Sequence, residues 1–155
     1  MPFYVSAQGI VDRYGESSVV LSSDRNRDQD LDSTALARAI VDAEGEIDSY
    51  LATVYTLPLT GVTDIAEPEA NTSVPNVLRR IAADVAVYRV AADYGGALTD
   101  EKRRRYEDAI AWLKLVAAGT VLLGGTVTPT LTAGFGVSVE SNERIFTRTT
   151  SRGLL

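Results

Sequence analysis

The acidic segment at residues 24–32 has the side-chain spacing that suits a bound metal ion. A looping chain can turn alternate side chains towards one point, and hard cations such as calcium prefer oxygen ligands. Leu31 stands where a calcium loop carries its apolar anchor. The candidate calcium ligands, one at every second position, are Asp24, Asn26, Asp28, Asp30 and Asp32.

Two features of this segment argue against calcium. Gln29 replaces the glycine that makes the sharp turn of a calcium loop, and Ala35 stands where a glutamate supplies two oxygens. The other interpretation is a solvated loop that ends in a helix cap at Asp32. We therefore predict no metal and no cofactor, and we keep a calcium-responsive binding module as an alternative function.

Carboxylates also gather along the first long predicted helix, where pairs of them could perform acid–base chemistry. The sequence contains no histidine and no cysteine, so the commonest general base and the thiolate nucleophile are absent. Only Lys102 and Lys114 supply ammonium groups. We predict no catalytic residues, a protein that is not an enzyme, and a solvated position for the carboxylates of Asp42, Glu44, Glu46 and Asp48.

A basic run, Arg103 to Arg105, falls within a later predicted helix. Successive helical residues point about 100° apart, so the three guanidinium groups cannot form one continuous patch. Glu101 and Glu107 are close enough along the helix to pair with some of them. A solvated face, a contact with an acidic subunit and a nucleic-acid contact all remain open.

Length and charge limit the class of protein further. The chain has 155 residues, one ordinary domain, with 45% hydrophobic residues and a formal net charge of −6. A net negative charge argues against general affinity for nucleic acid or anionic membranes. The N-terminus resembles no signal peptide, and the longest apolar stretch, residues 113–123, is interrupted by polar residues. We expect a soluble protein made in the cytoplasm.

Four helices are predicted from capping residues and from apolar residues repeating at helical spacing. They cover residues 6–14, the stretch from residue 32 or 33 towards Pro58, residues 75–94 and residues 99–119. Residues 60–75 are predicted to form a loop, because Gly61, Pro68, Asn71 and Pro75 all disfavour regular structure.

The last part of the chain has a different character. Residues 126–136 are rich in threonine and glycine without a helical period, and Phe135, Val137 and Val139 alternate as in a strand. The fold class is therefore mainly α, with a three- to four-helix body at residues 1–119. Residues 120–155 form a C-terminal extended arm or small β-hairpin within a single domain overall.

The order of these segments resembles the Mu-like phage gp36 family. The resemblance covers nearly the whole chain, although residues 64–73 are longer and more polar than the family's link, and Gln29 breaks the aspartate–glycine pattern. The segments that carry it are DRYGE at 12–16, the acidic loop at 23–32, AIVDA at 39–43, EIDSYL at 46–51, YTLPL at 55–59, IAADVAVYR at 81–89, RYEDA at 105–109, WL at 112–113 and RIFTR at 144–148.

This resemblance implies a head–tail connector, a helical subunit assembled as a ring, commonly twelvefold, beneath the portal of the capsid. The implied partners are other copies of the chain, the portal protein and a stopper or tail-terminator protein. DNA passes through without sequence-specific binding, no membrane is involved, and the location is the neck of the virion. A tail-completion protein of similar fold is the other implied role. The candidate partner-binding residues, all in the arm, are Arg144, Ile145, Phe146, Arg148 and Arg152.

Overall fold

The computed structural model describes residues 4–24, 28–59, 74–93, 98–124 and 129. These residues form five α-helices and no strand. The helices are α1 (Ala7–Tyr14), α2 (Glu16–Ser23), α3 (Ser33–Leu51), α4 (Asn76–Asp93) and α5 (Asp100–Ala117). The prediction of a mainly α protein is confirmed, with one helix more than the three or four expected.

Capping side chains begin the predicted helices where the sequence indicates. Ser6 accepts a hydrogen bond from the backbone N–H of Gly9 at the start of α1, and Thr99 accepts one from Lys102 at the start of α5. These bonds satisfy amide groups that lack a partner inside the helix. At the other end of α1, Gly15 has a φ of 78°, a left-handed value that suits glycine.

Helix α2 is the element that sequence patterns did not predict. Its apolar residues are consecutive, Val19 to Leu21, so they make no stripe at helical spacing. Only Val19 of the three is buried, together with the small residues Ser22 and Ser23. The hydroxyl of Ser22 donates a hydrogen bond to the backbone oxygen of Ser18 at 2.7 Å. Packing against the rest of the body therefore explains this helix better than periodicity does.

Helix α3 runs antiparallel to α4 and in the same direction as α5. Val90 near the end of α4 packs with Ala35 and Ala39 near the start of α3. The hydroxyl of Thr53, just after α3, donates to the backbone oxygen of Ala117 at the end of α5, at 3.3 Å. The start of α3 and the end of α5 therefore lie at opposite ends of the body.

The hydrophobic core lies between these three helices and is completed by α1 and α2. Half of the 18 residues of α4 are buried, more than in any other described helix, which makes it the central helix. Ala92, which stands at helical spacing in the apolar pattern of α4, is exposed, and Val54 packs half-buried against the core beyond the end of α3 at Leu51. The largest fully buried side chains include Ile10, Leu36, Ile47, Leu51, Leu78, Ile81 and Leu113.

The packed chain continues past the last helix. Leu123 is 2% exposed, and its backbone N–H donates to the hydroxyl of Tyr55 at 2.8 Å. The proposed division at residues 119 and 120 stays a prediction, as does the strand character of the arm, which falls almost entirely outside the described residues. No helix within the described ranges is long and apolar enough to cross a membrane.

Candidate interaction surfaces

The acidic loop is held by hydrogen bonds between its own carboxylates and backbone amides. The two carboxylate oxygens of Asp24 accept from the N–H groups of Asp28 and Gln29, each at 3.1 Å. Asp28 accepts from the N–H of Asp30 at 2.9 Å. Gln29 has a φ of 67°, the left-handed conformation that glycine adopts most easily. The sharp turn thus forms without glycine, and the sequence argument that Gln29 prevents it does not hold.

The predicted cap at Asp32 is confirmed. Its carboxylate accepts from the N–H of Ala35 at 2.9 Å, at the positive end of the α3 dipole. Of the five candidate calcium ligands, Asn26 lies outside the described residues. Within the described part of the chain, no group of three or more acidic side chains is placed to hold a metal ion.

An open cleft of about 410 Å³ lies between α2 and the acidic loop. Its lining combines apolar and acidic side chains. A second hollow of about 300 Å³ adjoins it, since both are lined by Asp30 and Leu31. We call the first one the acidic cleft and define it by Glu16, Val20, Leu21, Asp24, Asp30 and Leu31.

Glu44 and Asp48 hold the N-terminal segment against α3. Glu44 is only 5% exposed and accepts a hydrogen bond from the backbone N–H of Tyr4 at 2.9 Å. The hydroxyl of Tyr4 donates to the carboxylate of Asp48. The prediction that these carboxylates are solvated is wrong, because the buried residues Tyr4 and Val5 cover this face of α3. Asp42 is exposed, as predicted.

Glu46 joins α3 to both of its long neighbours, and it too is not the solvated residue that was predicted. Its Oε2 atom accepts from the Nη2 and Nε atoms of Arg89 at 2.8 and 3.2 Å. Its Oε1 atom accepts from the hydroxyl of Tyr106 at 2.8 Å. The ring of Tyr106 stacks on that of Tyr88, with centroids 4.1 Å apart. One carboxylate therefore links α3, α4 and α5.

The basic run is divided among partners of its own helix and of α1. Arg103 pairs with Asp100 at 3.0 Å, and Arg105 pairs with Glu101. The guanidinium of Arg105 also lies 5.4 Å from the ring centroid of Tyr14. This arrangement favours a structural role for the run over a continuous nucleic-acid surface.

A second tyrosine–carboxylate pair fixes α1. The hydroxyl of Tyr14 donates to Asp84 of α4, which joins the short first helix to the central one. Lys102, at the start of α5, donates from Nζ to the buried Ser22 hydroxyl at 2.8 Å, which joins α5 to α2. Burial lowers the pKa of Lys102. Each short helix is thus tied to a long one by a polar contact.

The tyrosine pKa values fit a structural network. Burial, followed by the hydrogen bonds to Asp48 and Asp84, raises the pKa of Tyr4 and of Tyr14 above the usual range. Burial and the bond to Glu46 raise the pKa of Tyr106 to about 12. Burial also raises the pKa of Asp48, which its bond from Tyr4 partly opposes. These phenols keep their protons and donate hydrogen bonds, so none is prepared to act as a base.

One signal in the sequence indicated the burial of Glu44. It follows Ile40 by four positions and precedes Ile47 by three, so it lies within the apolar stripe of α3. The acidic cleft had no such signal, because it depends on α2, which was not predicted. The arm candidates lie outside the described residues: Arg144, Ile145, Phe146, Arg148 and Arg152.

Comparison with known proteins gives two findings. The family model described as "Bacteriophage Mu, Gp36" matches residues 4–140. The Mu-like prophage FluMu protein gp36 of Haemophilus influenzae is 30% identical over 156 residues, which cover 100% of this chain and 100% of that protein.

Proposed function

The chain belongs to the bacteriophage Mu gp36 family, and from this premise we propose that it is a structural head–tail connector. It is a phage protein, and in this role it forms a ring beneath the portal, joins the capsid to the tail and lines the DNA channel. The observation that carries the proposal is the family match over residues 4–140, which includes the whole helical body and the first part of the arm.

The residue chemistry supports a non-catalytic role. The chain has no histidine or cysteine, and several of its half-buried tyrosines and carboxylates are hydrogen-bonded to one another. Glu46, for example, accepts from both Arg89 and Tyr106. Such contacts between helices stiffen a body and occupy the carboxylates that take part in them. A stiff, self-contained subunit is what a load-bearing ring requires.

The net negative charge of the chain supports a position lining the DNA channel. The formal net charge is −6, and a negative surface repels phosphate, so it lets DNA slide without gripping it. Ring closure requires two different patches on opposite sides of one subunit. The partners we propose are other copies of this chain, commonly twelve, the portal protein, and a stopper or tail-terminator protein. The proposed location is the neck of the virion, after synthesis in the cytoplasm of the host bacterium.

The experiment is co-purification of the full chain with the portal protein of the same phage, followed by electron microscopy of single particles. We expect a ring of this protein coaxial with the portal ring. Binding to the tail tube but not to the portal would identify a tail-completion protein instead. Monomers that bind neither partner would overturn the structural role altogether.

A further inference from the structure

We propose that the acidic cleft of one subunit binds the arginine-bearing segment at residues 144–152 of a neighbouring copy. This inference deepens the proposed function, on which it rests, by naming the contact that closes the ring. The occupant is a segment of the same chain that lies outside the described residues. Three observations support it: the chemistry of the cleft, the chemistry of the segment and the distance between them.

The cleft combines an apolar surface with an excess of negative charge. Leu21 is 60% exposed, the largest exposed fraction among the large apolar residues that the structure describes. The carboxylates of both adjoining hollows outnumber the two arginines of the loop sequence, Arg25 and Arg27. An exposed leucine beside carboxylates suits a partner that is both apolar and cationic.

The segment at residues 144–152 has the complementary composition. Arginines stand at 144, 148 and 152, Ile145 and Phe146 lie between the first two, and no acidic side chain follows Glu143. Arginine forms forked hydrogen bonds with carboxylates, and arginine and aromatic residues are enriched at protein interfaces. The segment can therefore supply an apolar anchor for Leu21 and ionic partners for Glu16 and Asp30.

The distance between the cleft and the start of the arm permits a contact between different copies. The cleft adjoins the start of α3, whereas Leu123 lies beside Tyr55, just after the end of α3. At 1.5 Å per residue, α3 separates the two by about 27 Å. The 20 residues from Gly124 to Arg144 span at most about 70 Å when extended, enough to reach the next subunit. Two different patches at opposite ends make a heterologous contact, the kind that closes rings.

The test uses two variants of the full chain, one with the charge of the cleft reversed and one with the charge of the arm reversed. The cleft variant is Glu16→Arg/Asp30→Arg, and the arm variant is Arg144→Glu/Arg148→Glu. If the double cleft variant misfolds, the single variant Asp30→Arg replaces it. This change is milder, because the Asp30 side chain makes no hydrogen bond among the described residues. The control with the same charge change elsewhere on exposed helix faces is Asp42→Arg/Asp108→Arg. Self-association is measured by analytical ultracentrifugation over a concentration series.

We expect each variant to self-associate on the order of tenfold more weakly than the wild type or the control, as loss of interfacial charge pairs predicts. Mixing the two variants restores association, because each then meets a partner of opposite charge. If the mixture stays as weak as its components, the segment binds within its own chain and the inference is overturned.

An uncharged variant tests the apolar part of the contact. Leu21→Ala weakens self-association, whereas Val41→Ala, on an α3 side chain that is 56% exposed, leaves it unchanged. Equal behaviour of these two variants would also overturn the inference. If the wild type assembles with the portal and every cleft variant does so equally, only the cleft contact is wrong. If the wild type assembles neither alone nor with the portal, the connector function fails as well.

Discussion

The hydroxyl of Tyr4 donates a hydrogen bond to the carboxylate of Asp48, a residue 44 positions further along the chain. The backbone N–H of the same tyrosine donates to Glu44, one helical turn before Asp48. The N-terminal segment is thus fastened at two points to the central part of α3. This contact covers two carboxylates of one face of α3, Glu44 and Asp48, with the N-terminal segment.

Replacing Tyr4 with phenylalanine tests that contact. The variant keeps the buried ring but leaves the half-buried Asp48 carboxylate without its donor, so we expect the free energy of unfolding to fall by about 1–2 kcal/mol. Urea denaturation followed by circular dichroism measures the change. Tyr50→Phe is the control, since the hydroxyl of Tyr50 makes no hydrogen bond to the described residues. Equal losses in the two variants would mean that the Asp48 bond contributes no stability.

The link between Glu46 and Arg89 can be measured by a double-mutant cycle with alanine. Both side chains are at most about a third exposed, at 17% and 34%, so we expect a coupling energy of about 1 kcal/mol. The control cycle uses Asp100 and Arg103, whose side chains are 83% and 56% exposed. Solvent screens that pair, and about 0.5 kcal/mol or less is expected. A coupling no larger for Glu46 than for Asp100 contradicts the structural role of Glu46.

Stability should fall in alkaline solution. The pKa of Tyr106 rises from its ordinary value of 10.0 to about 12 in the folded protein, and those of Tyr4 and Tyr14 rise in the same direction. Between pH 10.0 and about 12, Tyr106 of the unfolded chain loses a proton that the folded chain keeps. The stability that this group contributes is therefore fully present below pH 10.0 and is lost as the pH rises.

Urea denaturation at a series of pH values, with tyrosinate absorbance recorded in parallel, checks the alkaline effect. Tyr106→Phe should reduce the slope of unfolding free energy against pH in the window from 10 to about 12. Tyr50→Phe again serves as the control. A free energy of unfolding that stays constant across this window would show that the hydrogen-bonded phenols titrate as they do in the unfolded chain.

Calorimetric titration with calcium tests the alternative function. We expect no heat of binding at millimolar calcium, because the oxygens of Asp24 and Asp32 already accept backbone hydrogen bonds and Ala35 supplies no ligand. A chelator-treated sample titrated with magnesium is the control for general ionic effects. Heat specific to calcium, lost in an Asp28→Asn/Asp30→Asn variant, would favour the calcium-responsive module.

Deleting residues 134–155 separates the body from the arm. The described core ends at Leu123, so we expect a helical protein with an unchanged thermal midpoint that no longer binds the portal. Loss of ring closure removes the multivalency on which ring-to-ring binding depends. Circular dichroism and co-purification with the portal measure the two properties. Normal portal binding by the truncated chain would refute a role for the arm.

Four helices could be predicted because their signals are local. Ser6, Asp32 and Thr99 cap helices through bonds to residues three positions away, and Gly15 and Gly119 take left-handed conformations after α1 and α5. Helix α2 could not, since its Val19-Val20-Leu21 run has no helical period and owes its position to neighbouring helices. The acidic cleft, one wall of which is α2, was missed for the same reason.

The sequence by itself determined the helical class of the protein, most helix ends and the lack of histidine and cysteine chemistry, since these depend on residue type and short spacing. Only the tertiary structure decided whether Glu44, Glu46 and Asp48 are solvated or buried. Their helical positions are compatible with solvent or with burial, and the choice depends on which distant residues pack there. Tyr4, Arg89 and Tyr106 supply the hydrogen bonds that offset the cost of burying those carboxylates.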